Sequence, residues 1–217
     1  MIKMFAVYET FASIQGESTY AGLPCFFIRF AGCNLNCRYC DTRKARPFDA
    51  GKDMTQEQLV AAAVESGLSL VELTGGEPLM QKDVSALAAE LIRLGKTVLM
   101  ETNGSCDCSV LPPEVHRIID YKTPCSGEES AMLEQNFRSL RPHDQVKFVI
   151  ADDTDYECAV RCLERFDLTA QTPHILFSPA WGSDLRRLTE RIVHDKLPVR
   201  LNLQFHKIIW GADSEGV

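Results

Sequence analysis

Short apolar runs recur along the chain with room for a helix between them, and most end in a polar or glycine-rich cluster. Residues 70–73 run into Thr74-Gly75-Gly76-Glu77-Pro78, residues 97–100 into Glu101-Thr102-Asn103-Gly104, and residues 118–121 into Lys122-Thr123-Pro124-Cys125-Ser126-Gly127. Residues 175–177 lead into Ser178-Pro179-Ala180-Trp181, and 199–203 into Gln204-Phe205-His206-Lys207. Between them lie helical patterns. Thr55 and Gln58 form a capping box ahead of the apolar face 59–64, with Gly67 as the stop. Residues 84–94, 130–140 and 154–166 read as helices, as does a segment capped by Ser183 and ending near residue 195. Alternation of this kind predicts a parallel sheet flanked by helices. There are six or seven candidate strands, and residues 103–114 are too rich in Pro, Cys and Gly for a crossover helix. At 217 residues the chain is shorter than the roughly 250 of a full eightfold barrel. The expected fold is therefore α/β: an incomplete, trimmed parallel α/β barrel, one domain over residues 1–217. A barrel of this kind carries its site at the carboxyl ends of the strands.

Charge narrows the partners. The net charge is −7 with both signs interspersed and no basic run, which argues against direct nucleic-acid binding and leaves a small molecule as the expected substrate. No apolar stretch approaches the roughly 20 residues of a membrane span, and the start is not that of a signal peptide. A cytoplasmic protein is expected. Nine cysteines in such a chain point to reduced thiols and a metal site rather than disulfides. Cys25, Cys158 and Cys162 lie in apolar or helical stretches and read as core fillers.

Three of the nine fall within one short loop, Cys33-Asn-Leu-Asn-Cys37-Arg-Tyr-Cys40. A four-iron, four-sulfide (4Fe-4S) cubane takes one protein ligand per iron, so three thiolates leave one iron open to a substrate or cofactor. Structural zinc wants four closed ligands; Cys106, Cys108 or Cys125 could complete such a site, and Cys106-Asp107-Cys108 sits in a polar loop. Arg29 interrupts the apolar strand that delivers the cysteines. A buried guanidinium needs an anion, which suits a carboxylate-binding role. Ile14-Gln15-Gly16-Glu17 reads from composition as a polar surface turn. Gly75 and Gly76 at a strand end allow a close backbone approach to a ligand, and Glu77 before Pro78 presents a carboxylate from a stiff turn. Thr42 has the residue type of a helix cap.

The three-cysteine spacing, with Tyr39 before the last thiol, resembles the signature of the radical S-adenosylmethionine (SAM) enzymes, and Thr74-Gly75-Gly76-Glu77-Pro78 resembles their SAM-binding turn. With Ile14-Gln15-Gly16-Glu17, Arg29, Cys40-Asp41-Thr42 and the ending Leu203-Gln204-Phe205-His206-Lys207-Ile208-Ile209-Trp210-Gly211, nearly the whole chain looks like the 7-carboxy-7-deazaguanine synthase family of queuosine and deazapurine biosynthesis. That resemblance implies a radical ring contraction of 6-carboxy-5,6,7,8-tetrahydropterin with loss of ammonia, a 4Fe-4S cluster, SAM, Mg²⁺, a homodimer, and an external one-electron reductant such as flavodoxin. It implies Cys33, Cys37 and Cys40 on the cluster and Thr42 on Mg²⁺. SAM would meet Tyr39, Cys40, Asp41, Gly76, Glu77, Ser126, Gly127 and Ser178. Substrate would meet Ile14, Gln15, Gly16, Glu17, Arg29, Thr74 and His206, and in the family a C-terminal carboxylate, here that of Val217, can also reach it. The cluster loop has the ordinary three-residue first gap, so the stretched loop of some members does not apply. The rival readings are an activating enzyme that installs a glycyl radical on a protein partner, and a structural zinc or simple electron-transfer protein.

Overall fold

The computed structural model describes residues 2–212, 214, 216 and 217. In chain order the elements are β1 (Met4–Ile14), β2 (Pro24–Phe30), β3 (Lys52–Thr55), α1 (Gln56–Glu65), β4 (Leu70–Gly75), α2 (Val84–Arg93), β5 (Thr97–Thr102) and β6 (His116–Tyr121). There follow α3 (Glu134–Arg138), β7 (Gln145–Ile150), α4 (Asp153–Arg165), α5 (Leu168–Gln171), β8 (Ile175–Pro179), α6 (Leu185–His194), β9 (Arg200–Leu201) and α7 (Phe205–Trp210). Among the described residues nine strands join one sheet in the order β3-β1-β2-β4-β5-β6-β7-β8-β9. From β2 to β9 every neighbour is parallel, whereas β1 runs antiparallel to both β2 and β3. The sheet does not close. No described helix is long and apolar enough to cross a membrane.

Strand alternation divides each strand between two environments. Val71 and Leu73 of β4 join Leu59 of α1 and Leu87 and Leu91 of α2 in one cluster, while Ile119 and Tyr121 of β6 join Tyr156, Ala159 and Cys162 of α4 in another. The helices therefore cover one face. On the opposite face Cys25, Phe27, Leu70, Leu99 and Ile118 form a small apolar plug. One step further along β4, β5 and β6 the facing residues turn polar, Glu72, Glu101 and Asp120, joined by Lys147 of β7. The plug closes one end of the trimmed barrel and the polar layer floors a cavity at the other.

The structure has more strands than the six or seven expected. β1 runs from Met4 to Ile14, well past its apolar start, because its outer half pairs along β2 from Glu9↔Arg29 to Ile14↔Pro24. β3 falls within a stretch that composition marks only as polar; its pairing with the start of β1 makes it a strand. Residues 130–140 hold only a five-residue helix after a 3-10 turn. Asp184, not Ser183, caps α6, accepting from Arg187 N at 2.9 Å. The expected strand 199–203 shrinks to two residues, and Gln204-Phe205-His206-Lys207 caps and starts α7 instead. The capping box at Thr55 is present as expected.

At the amino ends of the strands, Tyr20 Oη lies 3.0 Å from His116 Nδ1 and the His116 and His143 rings meet edge to face at 4.8 Å. Burial lowers the pKa of His116, and neighbouring His143 and His174 reinforce this while Asp144 opposes it. His174 is lowered by burial, then by Arg200 and His143. Both favour the neutral form when folded. Below the ordinary histidine value of 6.5 the unfolded chain binds more protons, so stability present above that pH is lost as pH falls. Urea midpoints measured on either side of 6.5 will show this decline, and His116→Gln will flatten it.

Candidate active site

The cluster loop leaves β2 at Phe30, and its path is set by backbone bonds that leave little freedom. Gly32 N donates to Ala45 O at 2.8 Å and Cys33 N to Arg46 O at 2.9 Å. From the neighbouring strand, Gly76 N donates to Phe30 O at 3.0 Å and Glu77 N to Gly32 O at 2.8 Å. Both glycines of β4's end are required for this contact. Gly75 has φ +141° and a Cβ there would sit 2.2 Å from Phe30 O; at Gly76 it would sit 2.1 Å from Gly32 O. The close approach expected of this turn is thus made first to the cysteine loop itself.

Cys33, Cys37 and Cys40 open onto a cavity of about 670 Å³, a size typical of small-molecule sites. Leu35 N donates to Cys33 Sγ at 3.4 Å and Asn103 Nδ2 to the same sulfur at 3.7 Å. Burial pushes the Cys37 thiol to about 11, partly offset by Lys122, and burial also raises Cys40. A bound metal would reverse that by taking the thiolates as ligands. Among the described residues, the one set of three His, Cys, Asp or Glu ligand atoms within 4.8 Å of one another is Cys125, Asp152 and Asp155. Structural zinc wants four closed ligands, whereas three thiolates from one loop suit a cluster with one open iron.

The cavity gathers most of the sequence-assigned residues on one wall or another: Ile14, Gln15, Gly16, Glu17, Arg29, Tyr39, Asp41, Thr42, Thr74, Gly76, His206 and Val217. Ala212, Ser214 and Gly216 line it beside Val217. Four assigned residues stand off it. Glu77 is fully buried and its carboxylate accepts from Leu79 N, Thr102 Oγ1 and Asn103 N at 2.7–2.9 Å, so it braces the Asn103 loop. Ser126 O accepts from Arg38 N at 3.0 Å, and Gly127 packs on the Arg38 guanidinium, so this loop supports the cysteine loop from behind. Ser178 Oγ accepts from Asn202 at 2.9 Å.

Arg29 meets Glu9 Oε1 at 2.8 Å and lies over the Phe11 ring at 5.6 Å. Thr42 makes no side-chain cap bond; its hydroxyl donates to Asp41 Oδ1 at 3.1 Å. Crowding by protein raises the pKa of Asp41, but the Lys207 ammonium 2.6 Å from Oδ2 outweighs it and holds the carboxyl well below its usual range. Helix α7 is pinned to the Gln15-Gly16-Glu17 segment: Phe205 N donates to Gly16 O at 2.9 Å and Gln204 Nε2 to Glu17 Oε1 at 2.9 Å. A Cβ on Gly16 would lie 2.4 Å from His206 Nδ1, so only glycine admits that ring. Burial lowers the pKa of His206, with Glu17 opposing.

The residues that sequence reasoning missed are buried acids and a lysine in apolar strands. Lys147 touches Glu101, Glu17 at 3.1 Å and Asp120 at 3.6 Å, and Lys122 holds Asp120 at 2.7 Å. Glu72 accepts from Gln15 Nε2 at 2.7 Å. The available signal was their parity: Glu72 and Thr74, or Leu99 and Glu101, share a face along one strand.

A family profile described as the Radical SAM superfamily matches residues 27–122. The chain is 37% identical to a 7-carboxy-7-deazaguanine synthase of Koribacter versatilis, over 97% of this chain and 99% of that protein. It is 40% identical to a 7-carboxy-7-deazaguanine synthase of Thermoplasma acidophilum, again over 97% and 99%. The crystal structure of QueE from Escherichia coli superposes with a TM-score of 0.76 at 25% identity, covering 94% of this chain and 95% of that one. Likeness of this extent, on a chain that turns three cysteines toward a shared cavity, places it: the protein belongs to the 7-carboxy-7-deazaguanine synthase family of the radical SAM superfamily.

Proposed function

We propose that this chain converts 6-carboxy-5,6,7,8-tetrahydropterin to 7-carboxy-7-deazaguanine with loss of ammonia. The observation that carries the reading is that one cavity joins the three cysteines to Gln15, Arg29 and Thr74. A 4Fe-4S cluster on Cys33, Cys37 and Cys40, with SAM, supplies the radical chemistry when bound. The chain supplies position. Tyr39, Asp41 and Gly76 line the stretch of wall assigned to SAM, and the Ser126 and Gly127 loop acts by bracing Arg38. Arg29 has five donors, so a guanidinium already held by Glu9 retains N–H groups for a substrate carboxylate. Gly16, Glu17, His206 and Val217 complete the substrate wall.

Mg²⁺ belongs in the same reading. It prefers hard oxygen ligands, and the Thr42 hydroxyl on the cavity wall fits, since it makes no cap hydrogen bond and lies beside the Asp41 carboxylate. We also place the protein in the cytoplasm as a single-domain homodimer served by a one-electron donor such as flavodoxin. One continuous sheet supports the single domain, and nine free thiols suit a reducing compartment. Exposed Ile208, Ile209 and Trp181 supply apolar surface for self-association. Arg38 and Arg43 near the cluster loop suit an acidic donor. The rival reading, an activase for a glycyl radical protein, lacks the support of the relatives and fits poorly with a cavity floored by buried charges.

Anaerobically reconstituted protein given reductant, SAM and 6-carboxytetrahydropterin will yield 7-carboxy-7-deazaguanine by mass, and Cys37→Ala will yield none. SAM cleavage without that product overturns the substrate assignment. Arg29→Ala removes a charged hydrogen-bond donor worth about 1.5–3 kcal/mol, roughly 10- to 100-fold in KM, while uncoupled SAM cleavage persists; loss of iron content instead would make Arg29 structural. Turnover will rise with added Mg²⁺, and in Thr42→Val that response will be lost.

A further inference from the structure

Glu72 is an acid to which the resemblance assigns no role, yet it lies on the floor of the cavity with a residue exposure of 1%. Strand alternation puts it on the same face of β4 as Thr74, one step below the cavity wall. On one side Gln15 Nε2 donates to its Oε2 at 2.7 Å. On the other side its neighbour is Glu101, whose own carboxylate is held by Lys147 and by Thr74 Oγ1 at 3.3 Å.

The charges around it leave no place for a further anion. Lys147, the cation acting on Glu72, is already shared by Glu101, Glu17 and Asp120, and Lys122 is paired to Asp120. Two lysines thus face three carboxylates before Glu72 is counted. Burial raises the pKa of Glu72 well above its usual value, and Glu101 adds to the effect. Two neighbouring buried carboxylates cannot both ionise at low cost. A neutral acid fits both neighbours: its O–H donates to Glu101 and its carbonyl accepts from Gln15.

Those two bonds have fixed direction, and direction is what they transmit. The Gln15 amide must turn its NH₂ toward Glu72, which leaves Oε1 to accept from Glu17 N at 2.5 Å. Glu17 in turn meets Lys147, and Lys147 meets Glu101. The contacts run from Glu72 through Gln15, Glu17 and Lys147 to Glu101, and a proton on Glu72 donated to Glu101 would close them into a ring across the end of β1 and strands β4, β5 and β7.

We propose that Glu72 is a positioning residue which, as a neutral carboxylic acid, locks the Gln15 amide and the Glu101 carboxylate into the single donor and acceptor arrangement that reads the polar edge of a ring substrate. The inference rests on the substrate class proposed above. Product formation by the unaltered enzyme decides that class, whereas comparison of two Glu72 variants decides the role of Glu72.

Glu72→Gln keeps a donor toward Glu101 and a carbonyl for Gln15, whereas Glu72→Leu keeps neither. Both are to be assayed with 6-carboxytetrahydropterin alongside urea denaturation, and infrared spectra of the parent and Glu72→Gln compared at neutral pH. Glu72→Leu is expected to raise KM by about tenfold or more, the loss of a buried hydrogen-bond partner, with SAM cleavage continuing uncoupled. Glu72→Gln is expected to restore KM to within about threefold of the parent, less than the roughly 1.4 kcal/mol of a tenfold change. The parent spectrum will contain a protonated-carboxyl C=O band that Glu72→Gln removes. If Glu72→Gln loses as much as Glu72→Leu, or if that band is absent from the parent, Glu72 is ionised or transfers protons and the proposal falls. If Glu72→Leu fails to fold, the Glu72→Gln kinetics and the infrared band still decide it.

Discussion

A lysine with 5% exposure, Lys147, sits where the inner faces of β5, β6 and β7 meet, and the layout of the site depends on how its charge is met. A buried ammonium without partners is strongly unfavourable. Glu101, Asp120 and Glu17 surround it, drawn from two neighbouring strands and from the turn after β1. That arrangement fixes the turn after β1 against the barrel interior, although composition alone would leave it on the surface. It also makes the cavity floor polar and pairs its charges, so a polar ring can bind above it.

The rim is organised by backbone and not by charge. Gly75 and Gly76 let β4 run against the cysteine loop, and Gly16 lets His206 and α7 close over the opposite side. Each contact is closer than any side chain would permit. The cluster loop is therefore held from the sheet by Gly76 and Glu77 nitrogens, and from behind by the Ser126 carbonyl on Arg38 N. Three separate strand ends thus converge on one loop, which keeps the cysteines splayed toward the cavity.

Much of this was legible in residue order. The three-cysteine loop, Arg29, the Gly-Gly turn and the alternation of strands with helices are local patterns, and local patterns survive without knowledge of the fold. The helix boundaries read from caps and stops were close at α1, α2 and α4. Where reading failed, the cause was non-local. β3 is a strand because β1 offers it an edge, and Gln204 to Lys207 turns helical where the chain packs on Gly16. Glu77, placed by a stiff turn before Pro78, has its carboxylate bonded to Leu79, Thr102 and Asn103, contacts that only the fold brings together.

The sequence by itself determined the chemistry: three thiols spaced for a cluster with an open iron, an arginine on the approach strand, and a trimmed barrel to carry them. Only the tertiary structure decided what faces what. Nothing local pairs Glu72, Glu101, Asp120 and Lys147, because their partners lie on other strands and a side chain's face depends on register across the sheet. Folding brings β4, β5, β6 and β7 side by side, and four isolated charges become the compensated floor on which a substrate can rest.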